Sequence, residues 1–505
     1  MVFADTFTIT PILKHLKTSF RSGKTLNIEY RQQQLSNLLK GLEELGDKFH
    51  QALKEDLNCS EAFSMIYSVG ACISATKLCV RELSTWMQAK EVDTPLYLAP
   101  AKSYVYPEPY GVVLIIGAWN YPLIGIIPYL AYAISAGNCA IVKPSEISKN
   151  SSKVIFELCE KYLDKDCYRC VEVDAKITQE ILKEKFDMMV FTGNPQTGKI
   201  IAKAAAENLV PCILELGGKC PTIVNKEADI ENAALRIARA RLLNAGQSCI
   251  ACDYVFVHKN IKLEFIEALK KKIIQFYGEN PLKSSDYAKI INIAHTERLK
   301  SYLDEDHGGK VLMGGDVNVK EQYVAPTLID SPSVDSKLMQ DEIFGPILPI
   351  YEFSEIRDVL EFINDRPKPL ATYYYGSEGS EAYNLLKTRT SSGALVCNDS
   401  FTQATNVYLP FGGVGASGQG KLNGYHGFKS LSHFKSVMEC HTNNGFPASV
   451  LFPPYTETTK KVLKYSGCIM FIKQKQMYRM SLLLILALLL FTLYKSIFFM
   501  SNSMS

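Results

Sequence analysis

The sequence predicts an α/β fold of two doubly wound parallel-sheet domains, followed by a C-terminal hydrophobic helix. Three observations carry that expectation. From residue 111 onward, short apolar runs alternate with longer helical patterns, as in parallel sheets covered on both faces. A chain of 505 residues is too long for one small core, so two or three domains are expected. Met480 to Leu493 carries no charge and is dominated by Leu and Ile.

In chain order, residues 27–57 read as one long amphipathic helix. Leu35, Leu38, Leu39, Leu42, Leu45, Phe49 and Leu53 recur on a 3.6-residue period. Residues 94–110 hold four prolines and several tyrosines, an extended excursion. Gly111–Gly117 is then a buried strand, Pro122–Ala136 a helix and Cys139–Lys143 a second strand. A helix near 150–163, a strand at Asp187–Thr192 and a helix at Gly198–Asn208 follow. A second series begins after Glu215, with a helix at 229–243, a strand at 253–258 and a helix at 260–277. Pro410–Gly420 is glycine-rich and irregular. The domain boundary is placed at Glu215, giving 1–214, 215–409, a return segment at 410–445, a linker at 446–479 and the terminal helix at 480–500.

Bulk properties exclude some classes. With 47% hydrophobic and 21% charged residues the chain is that of an ordinary folded protein, and its net charge of +3 implies no nucleic-acid partner. The 14 cysteines form no repeating framework, and the N-terminus, with Asp5 and Lys14, does not resemble a signal peptide, so reduced thiols in the cytosol are expected. As a helix, residues 480–494 span about 22 Å, short of a ~30 Å hydrocarbon core; with 495–500, and Lys495 snorkelling, the span is about 31 Å. Lys473, Lys475 and Arg479 precede it, as on a cytoplasmic flank. A tail anchor is expected; a buried core helix or one lying in the interface are the alternatives.

Six segments carry chemistry. Gln247-Ser248-Cys249 offers a thiolate that can attack a carbonyl, although a lone cysteine is more often a packing residue. Glu215-Leu216-Gly217-Gly218-Lys219 places a carboxylate at a sharp turn, where it could act as a general base or be an ordinary turn residue. Asn120, in Trp119-Asn120-Tyr121-Pro122, follows a strand's C-terminal end, where its amide could donate to an oxyanion or simply form a turn. Phe191–Lys199 (FTGNPQTGK) could face a phosphate with its amides. It fits the start of a nucleoside-triphosphate loop, but Ile200 stands where magnesium needs a hydroxyl. Lys143-Pro144-Ser145-Glu146 could grip ribose hydroxyls, or start a solvated helix. Glu342-Ile343-Phe344-Gly345-Pro346 could hold a second ribose, or be a loop. The CxxC pairs Cys167/Cys170 and Cys249/Cys252 lie about eighty residues apart, against ~15–20 for a zinc ribbon, so no metal site is expected.

Taken together and in this order, Asn120 and the KPSE, FTGN, ELGGK, GQSC and EIFGP runs resemble the aldehyde dehydrogenase superfamily. The NDS segment at 398–400 and PFGGVGASGQG at 410–420 extend the likeness over about residues 10–440. Within it the chain looks like the class 3 branch, especially the membrane-anchored fatty aldehyde dehydrogenases: the part before Asn120 is short, Tyr-Pro follows Asn120, and a hydrophobic tail follows the body. The resemblance implies an NAD-binding domain over 1–214, with 94–110 in a small oligomerisation arm, and a catalytic domain over 215–409. It implies that Cys249 forms a thiohemiacetal, that Asn120 and the Cys249 N–H stabilise the oxyanion, that hydride passes to nicotinamide, and that Glu215 activates the water that hydrolyses the thioester. Lys143 and Glu146 would hold the adenosine ribose, Gly193 and Gly198 would lie near the pyrophosphate, Glu342 would hold the nicotinamide ribose, and Phe344 would also bind the cofactor. Glu146 would repel a 2′-phosphate, so NAD is expected ahead of NADP.

The same resemblance implies a homodimer, through 94–110 and the strand after 430, and the cytosolic face of the endoplasmic reticulum. Medium- to long-chain fatty aldehydes are the expected substrates, with the active-site mouth facing the membrane. Acylating dehydrogenases, which pass the thioester to coenzyme A, and a catalytically idle scaffold are the competing readings; Glu215 argues against the first and the full residue set against the second. One departure from class 3 stands out: Ile250-Ala251-Cys252 replaces the usual Ile-Ala-Pro, which raises a reversible Cys249–Cys252 disulfide as an expectation.

Overall fold

The computed structural model describes residues 8–95, 98, 100–440, 449 and 452–469, and isolated helical positions between 477 and 490. The chain divides into two compact units, Met1–Trp86 with Pro109–Ser432, and Met87–Glu108 with His433–Ser505.

The larger unit holds two open sheets. In the first, the strand order is Gly418–Gln419, Cys212–Glu215, Met188–Thr192, Val112–Ile116, Cys139–Lys143 and Tyr168–Cys170. All its neighbours are parallel except Gly418–Gln419. The chain steps outward from Val112–Ile116 through Cys139–Lys143 to Tyr168–Cys170, then returns to fill the other side. The order therefore reverses between Val112–Ile116 and Met188–Thr192, the position at which open α/β sheets bind ligands at their carboxyl ends. Register lines those ends up: Ile116 pairs with Lys143 and with Phe191, and Thr192 with Glu215. Val112–Ile116 and Cys139–Lys143 are buried at every position, because helices cover both faces.

The second sheet runs Lys310–Met313, Thr327–Asp330, Ile347–Phe353, Tyr254–His258, Pro221–Val224, Ala371–Tyr375 and Ala394–Cys397. Only Lys310–Met313 is antiparallel to its neighbour. The chain leaves the first sheet after Glu215 and enters the second at Pro221.

A buried ion cluster ties the second sheet to its loops. Asp253, at the entry to Tyr254–His258, accepts from Lys219 Nζ at 2.5 Å and from Arg241 Nη1 at 3.0 Å. Its Oδ1 also accepts from the Ile343 N–H at 3.3 Å. Side-chain exposure is 11% for Lys219, 3% for Asp253 and 1% for Arg241, so these charges are compensated by one another and not by water.

The smaller unit contains a three-stranded sheet of Lys90–Val92, Lys102–Pro109 and Ser432–Glu439. Within it Lys435 pairs with Glu108, and the Tyr104 hydroxyl donates to Glu439 at 2.9 Å.

Several expectations shift. The helix expected over 27–57 is two, Ile28–Glu44 and Gly46–Leu57. Leu45 leaves helical geometry at φ −95° and ψ 8°, and glycine follows it, a poor residue for carrying a helix through. The apolar stripe survives the break, with Leu35, Leu38, Leu42, Leu45, Phe49 and Leu53 all in the core. The helix expected from Pro122 starts at Ile127. The one expected from Gly198 starts at Pro195, because Asn194 caps it by accepting from the Thr197 N–H at 2.8 Å. Part of the expected linker, Glu457–Ile469, is helical. The terminal helix at 480–500 lies outside the described residues apart from positions such as Leu483 and Ile485. Among the described residues Glu61–Trp86 is long and apolar enough to cross a membrane, yet Cys72, Cys79 and Leu83 have no exposure, which marks a core helix.

Replacing Asp253 by alanine strands Lys219 and Arg241 without their shared carboxylate. The expected loss is about 3–5 kcal/mol, read from the urea unfolding midpoint. A change below about 1 kcal/mol would show that the two cations find other compensation.

Candidate active site

The loop around Cys249 is fixed from every side. Helix Ile230–Leu242 ends in Leu243–Gly246, where Asn244 (φ 54°) and Ala245 (φ 51°) take the left-handed conformation. Alanine rarely adopts it, so the surroundings must impose it. They do so through side-chain amides. Asn244 Nδ2 donates to the Asn120 carbonyl at 2.9 Å. Gln247 Nε2 donates to the carbonyls of Asn244 and Lys289, both at 3.0 Å, and Gln247 Oε1 accepts from the Ile291 N–H at 2.9 Å. Gly246 must be glycine: its φ is 75°, and a Cβ there would lie 2.2 Å from the Gly345 carbonyl oxygen. Cys249 follows in the turn closed by Ala251 N–H to the Ser248 carbonyl at 3.1 Å, and it is half-buried.

Asn120 is buried beside this loop, and its Nδ2 donates to the Gln247 carbonyl at 3.1 Å. The amide has a second N–H to offer. Glu215, at the end of Cys212–Glu215, is 3% exposed, and neither carboxylate oxygen has a hydrogen-bond partner among the described residues. Burial raises its pKa well above the usual carboxylate range, and the nearby Lys421 ammonium offsets part of the effect. Glu342 folds against Gly217, where a Cβ would meet its Oε2 at 1.9 Å; Oε1 is buried without a partner among the described residues. Burial, then the charge of Asp253, pushes Glu342 up to about 8. The Cys249 thiol is raised too, by burial first and then by the Glu342 and Glu215 carboxylates. Thiol and two carboxylates thus share one poorly solvated site, next to an asparagine amide.

Comparisons with known proteins give the family. The model of the Aldehyde dehydrogenase family matches residues 4–437. The chain belongs to the aldehyde dehydrogenase family. Its relatives place it in the class 3 branch. Rattus norvegicus aldehyde dehydrogenase family 3 member A2 is 37% identical over 476 residues, covering 94% of this chain and 97% of that one. The 4,4'-diaponeurosporen-aldehyde dehydrogenase of Staphylococcus aureus is 40% identical over 439 residues, covering 87% and 95%. A solved substrate-bound structure of Staphylococcus aureus AldH superposes with a TM-score of 0.88 at 38% identity, covering 91% of this chain and all of that one. The protein is an enzyme that oxidises aldehydes.

In this aldehyde dehydrogenase Lys143, Glu146, Gly193 and Gly198 fall at the carboxyl ends of the first sheet, and Phe344 in the segment leading into Ile347–Phe353 of the second. Lys143 is buried, and its ammonium pairs with Glu146. The Gly193 N–H is already spent on the Glu215 carbonyl, at 3.0 Å. Gly198 lies in the first turn of helix Pro195–Glu207, where a Cβ would stand 2.7 Å from Leu216 Cδ2. Phe344 takes φ 49° and meets the Trp119 ring edge-on at 5.3 Å. These groups fit a nucleotide cofactor: the loops end at the switch point, and Glu342 Oε1 is a buried acceptor waiting for a donor. Cys252, by contrast, is fully buried with its thiol on Ser400 Oγ at 3.4 Å, a partner that a disulfide with Cys249 would take from it.

Sequence reading missed four groups of residues. Tyr129, on helix Ile127–Ala136, is buried near Thr192, Glu215 and Cys249, but its helix is apolar throughout and no pattern marks it. Lys421 stands one residue beyond the glycine-rich run. His295 packs on Trp119 at 4.9 Å; burial and Arg298 lower its pKa to about 4, so it is neutral at physiological pH. Phe63, Tyr67, Tyr121 and Phe401 form a circuit of ring contacts at 5.6–6.3 Å, and Tyr67, Tyr121 and Cys249 pack on the core cluster that includes Phe401.

Glu342 makes stability depend on pH. Its folded pKa of about 8 exceeds the ordinary 4.5, so the folded state favours the neutral carboxyl; the benefit is complete below 4.5 and is lost as pH rises through about 8. Glu342→Gln cannot ionise. Its melting temperature without cofactor should exceed that of the parent by a margin that widens from pH 5 to pH 8. A margin constant with pH would remove Glu342 as the titrating group.

Proposed function

We propose that this enzyme oxidises medium- to long-chain fatty aldehydes to carboxylic acids, using NAD in preference to NADP, with Cys249 as nucleophile and Glu215 as general base. The observation that carries the reading is Glu215 itself: a buried carboxylate with neither oxygen partnered among the described residues, beside a half-buried thiol. An unmade hydrogen bond in such surroundings costs about 1–3 kcal/mol, more for a charge, and persists where function requires it.

Cys249 is held as a thiol at rest, so a base must take its proton before the sulfur attacks the aldehyde carbon. Glu215, whose charge acts on the Cys249 thiol, receives it. The thiohemiacetal oxyanion is met by the free N–H of Asn120 Nδ2 and by the Cys249 backbone N–H, both held by the 244–249 loop. NAD, when bound, supplies the hydride acceptor, with Lys143 and Glu146 at its adenosine ribose and Glu342 and Phe344 at the nicotinamide end. Glu146 disfavours a 2′-phosphate by its charge. Glu215 then takes a proton from the water that hydrolyses the Cys249 thioester.

The substrate class rests on the circuit of Phe63, Tyr67, Tyr121 and Phe401 next to Cys249, an apolar lining suited to an alkyl chain. Helix Glu61–Tyr67, which supplies two of these rings, also leaves Met65 and Ile66 each 59% exposed. We place this mouth against a membrane, with residues 480–500 as the anchor and the endoplasmic reticulum as the site. Each CH₂ favours lipid by about 0.8 kcal/mol, so a long aldehyde is met at the bilayer and not in water. The sheet of Lys90–Val92, Lys102–Pro109 and Ser432–Glu439 offers edges on which a second copy can pair, giving a homodimer.

Two measurements test these assignments. Glu215→Gln should slow both halves of the reaction: NADH appears slowly and stops near one per site, and the acyl group then stays on Cys249 in the intact mass, while Cys249→Ala forms neither NADH nor an acyl group. Undiminished steady turnover in Glu215→Gln would refute the base. Deleting residues 480–505 should leave oxidation of short soluble aldehydes intact and reduce that of vesicle-dissolved long ones; equal loss on both counts against the anchor.

A further inference from the structure

Opposite the catalytic loop, the antiparallel strand Gly418–Gln419 brings its own chain down beside the proposed base. Gly418 pairs with Glu215, and Gln419 with Leu214. Two residues on, Lys421 turns back over the carboxylate. Its ammonium donates to the Gly412 carbonyl and, at 3.0 Å, to the Gly413 carbonyl. Gly412 is the point where the two side chains meet: a Cβ built on it would lie 2.8 Å from Glu215 Oε1 and 3.2 Å from Lys421 Cδ. Its φ of 151° and this crowding both require glycine. Lys421 is itself half-buried, and the Ser430 hydroxyl on its own carbonyl fixes its backbone.

Other groups face Glu215 as well. Tyr129 approaches from helix Ile127–Ala136 and Cys249 from the nucleophile loop. Neither brings a positive charge. Ionised Glu215 has no hydrogen bond from the described residues to replace the water it lost, so a nearby cation is what keeps the anionic form accessible.

We propose that Lys421 is a positioning residue for the Glu215 base: it clamps the Gly412–Gly413 turn over the carboxylate and supplies the positive charge that lets the carboxylate ionise at working pH. This rests on the reading of Glu215 as base. Burial lowers the pKa of Lys421 and the charge of Glu215 raises it, so each of the two groups favours the charged form of the other. The consequence is kinetic. Hydrolysis of the thioester needs ionised Glu215, so its rate falls as pH drops through the Glu215 pKa; without the ammonium that limb moves to higher pH.

The test measures decay of the Cys249 acyl group against pH, by rapid quench and intact mass, in the full-length enzyme with NAD and a medium-chain aldehyde. Lys421→Met removes clamp and charge, Lys421→Gln keeps a donor for the Gly412 carbonyl, and Lys421→Arg keeps the charge. The expected result is an acid limb displaced upward by on the order of one pH unit in Lys421→Met and Lys421→Gln, about tenfold slower decay below it, and a limb restored in Lys421→Arg. Above the limb, kcat/KM for the aldehyde should stay within about twofold. A limb at the parental pH in both uncharged variants overturns the proposal, as does a uniform fall in rate at every pH, which a merely structural lysine would give. Glu215→Gln run alongside separates the two readings. If it still deacylates at the parental rate, the base assignment fails; if it stalls while the Lys421 variants keep the parental limb, the lysine assignment alone fails.

Discussion

The Asp253 carboxylate is the constraint on which the site depends. It is almost wholly buried, and its oxygens take Lys219, Arg241 and the Ile343 N–H. Each partner belongs to a different segment around Cys249, Glu215 and Glu342. Lys219 closes the Glu215–Gly218 turn and reaches on to the carbonyls of Leu338 and Asp341. Arg241 ends the helix that leads into the Cys249 loop, and also holds the carbonyls of Cys252 and Gly345. Ile343 follows Glu342. A single carboxylate thus fixes, through buried bonds, the turn after Glu215, the loop of Cys249 and the segment that carries Glu342. Charges in such a cluster are costly to desolvate; what they provide is directional bonds to several loops at once, which apolar packing cannot give.

The first sheet contributes in another way. Parallel register sets Ile116, Lys143, Thr192 and Glu215 in one row of strand ends, so the loops that follow emerge together. Asn120 is joined to the nucleophile loop in both directions, by its amide to Gln247 and by its carbonyl to Asn244. That reciprocity lets an asparagine on one sheet's loop stay aligned with a cysteine on a loop of the other. The strained left-handed pair Asn244–Ala245 is tolerable because these amide bonds over-determine it.

Much of this was legible in the sequence, and what was not has a physical reason. The apolar runs at 111–117, 139–143 and 187–192 announced strands because both faces are buried and no polar residue interrupts them. The strands at Tyr168–Cys170, Cys212–Glu215 and Pro221–Val224 are three or four residues long, too short for a period to show. The break at Leu45 left the apolar stripe in phase, so a pattern of spacings could not reveal it. Cys249, Glu215, Asn120 and Glu342, which the structure brings together, stand in short motifs that sequence reading can single out. Tyr129 and Lys421 were not, because each reaches the site through a long side chain from an element whose local sequence is unremarked, one an apolar helix and the other the tail of a glycine-rich loop. Their role is set by tertiary approach alone.

Protonation at rest follows from the same geometry. Burial raises the pKa of Cys249, Glu215 and Glu342 together, and ionising either carboxylate makes ionising the thiol harder. In a poorly solvated pocket such groups titrate as a set, and the state with fewest negative charges is favoured. A thiol kept protonated is also protected from stray oxidation, since the thiolate is the reactive form. Under the proposed mechanism a proton moves from sulfur to Glu215, a transfer that creates no net charge inside the protein if Glu215 is already ionised. That condition is met only where a compensating cation lies nearby, and Lys421 is the cation that the fold brings to this carboxylate.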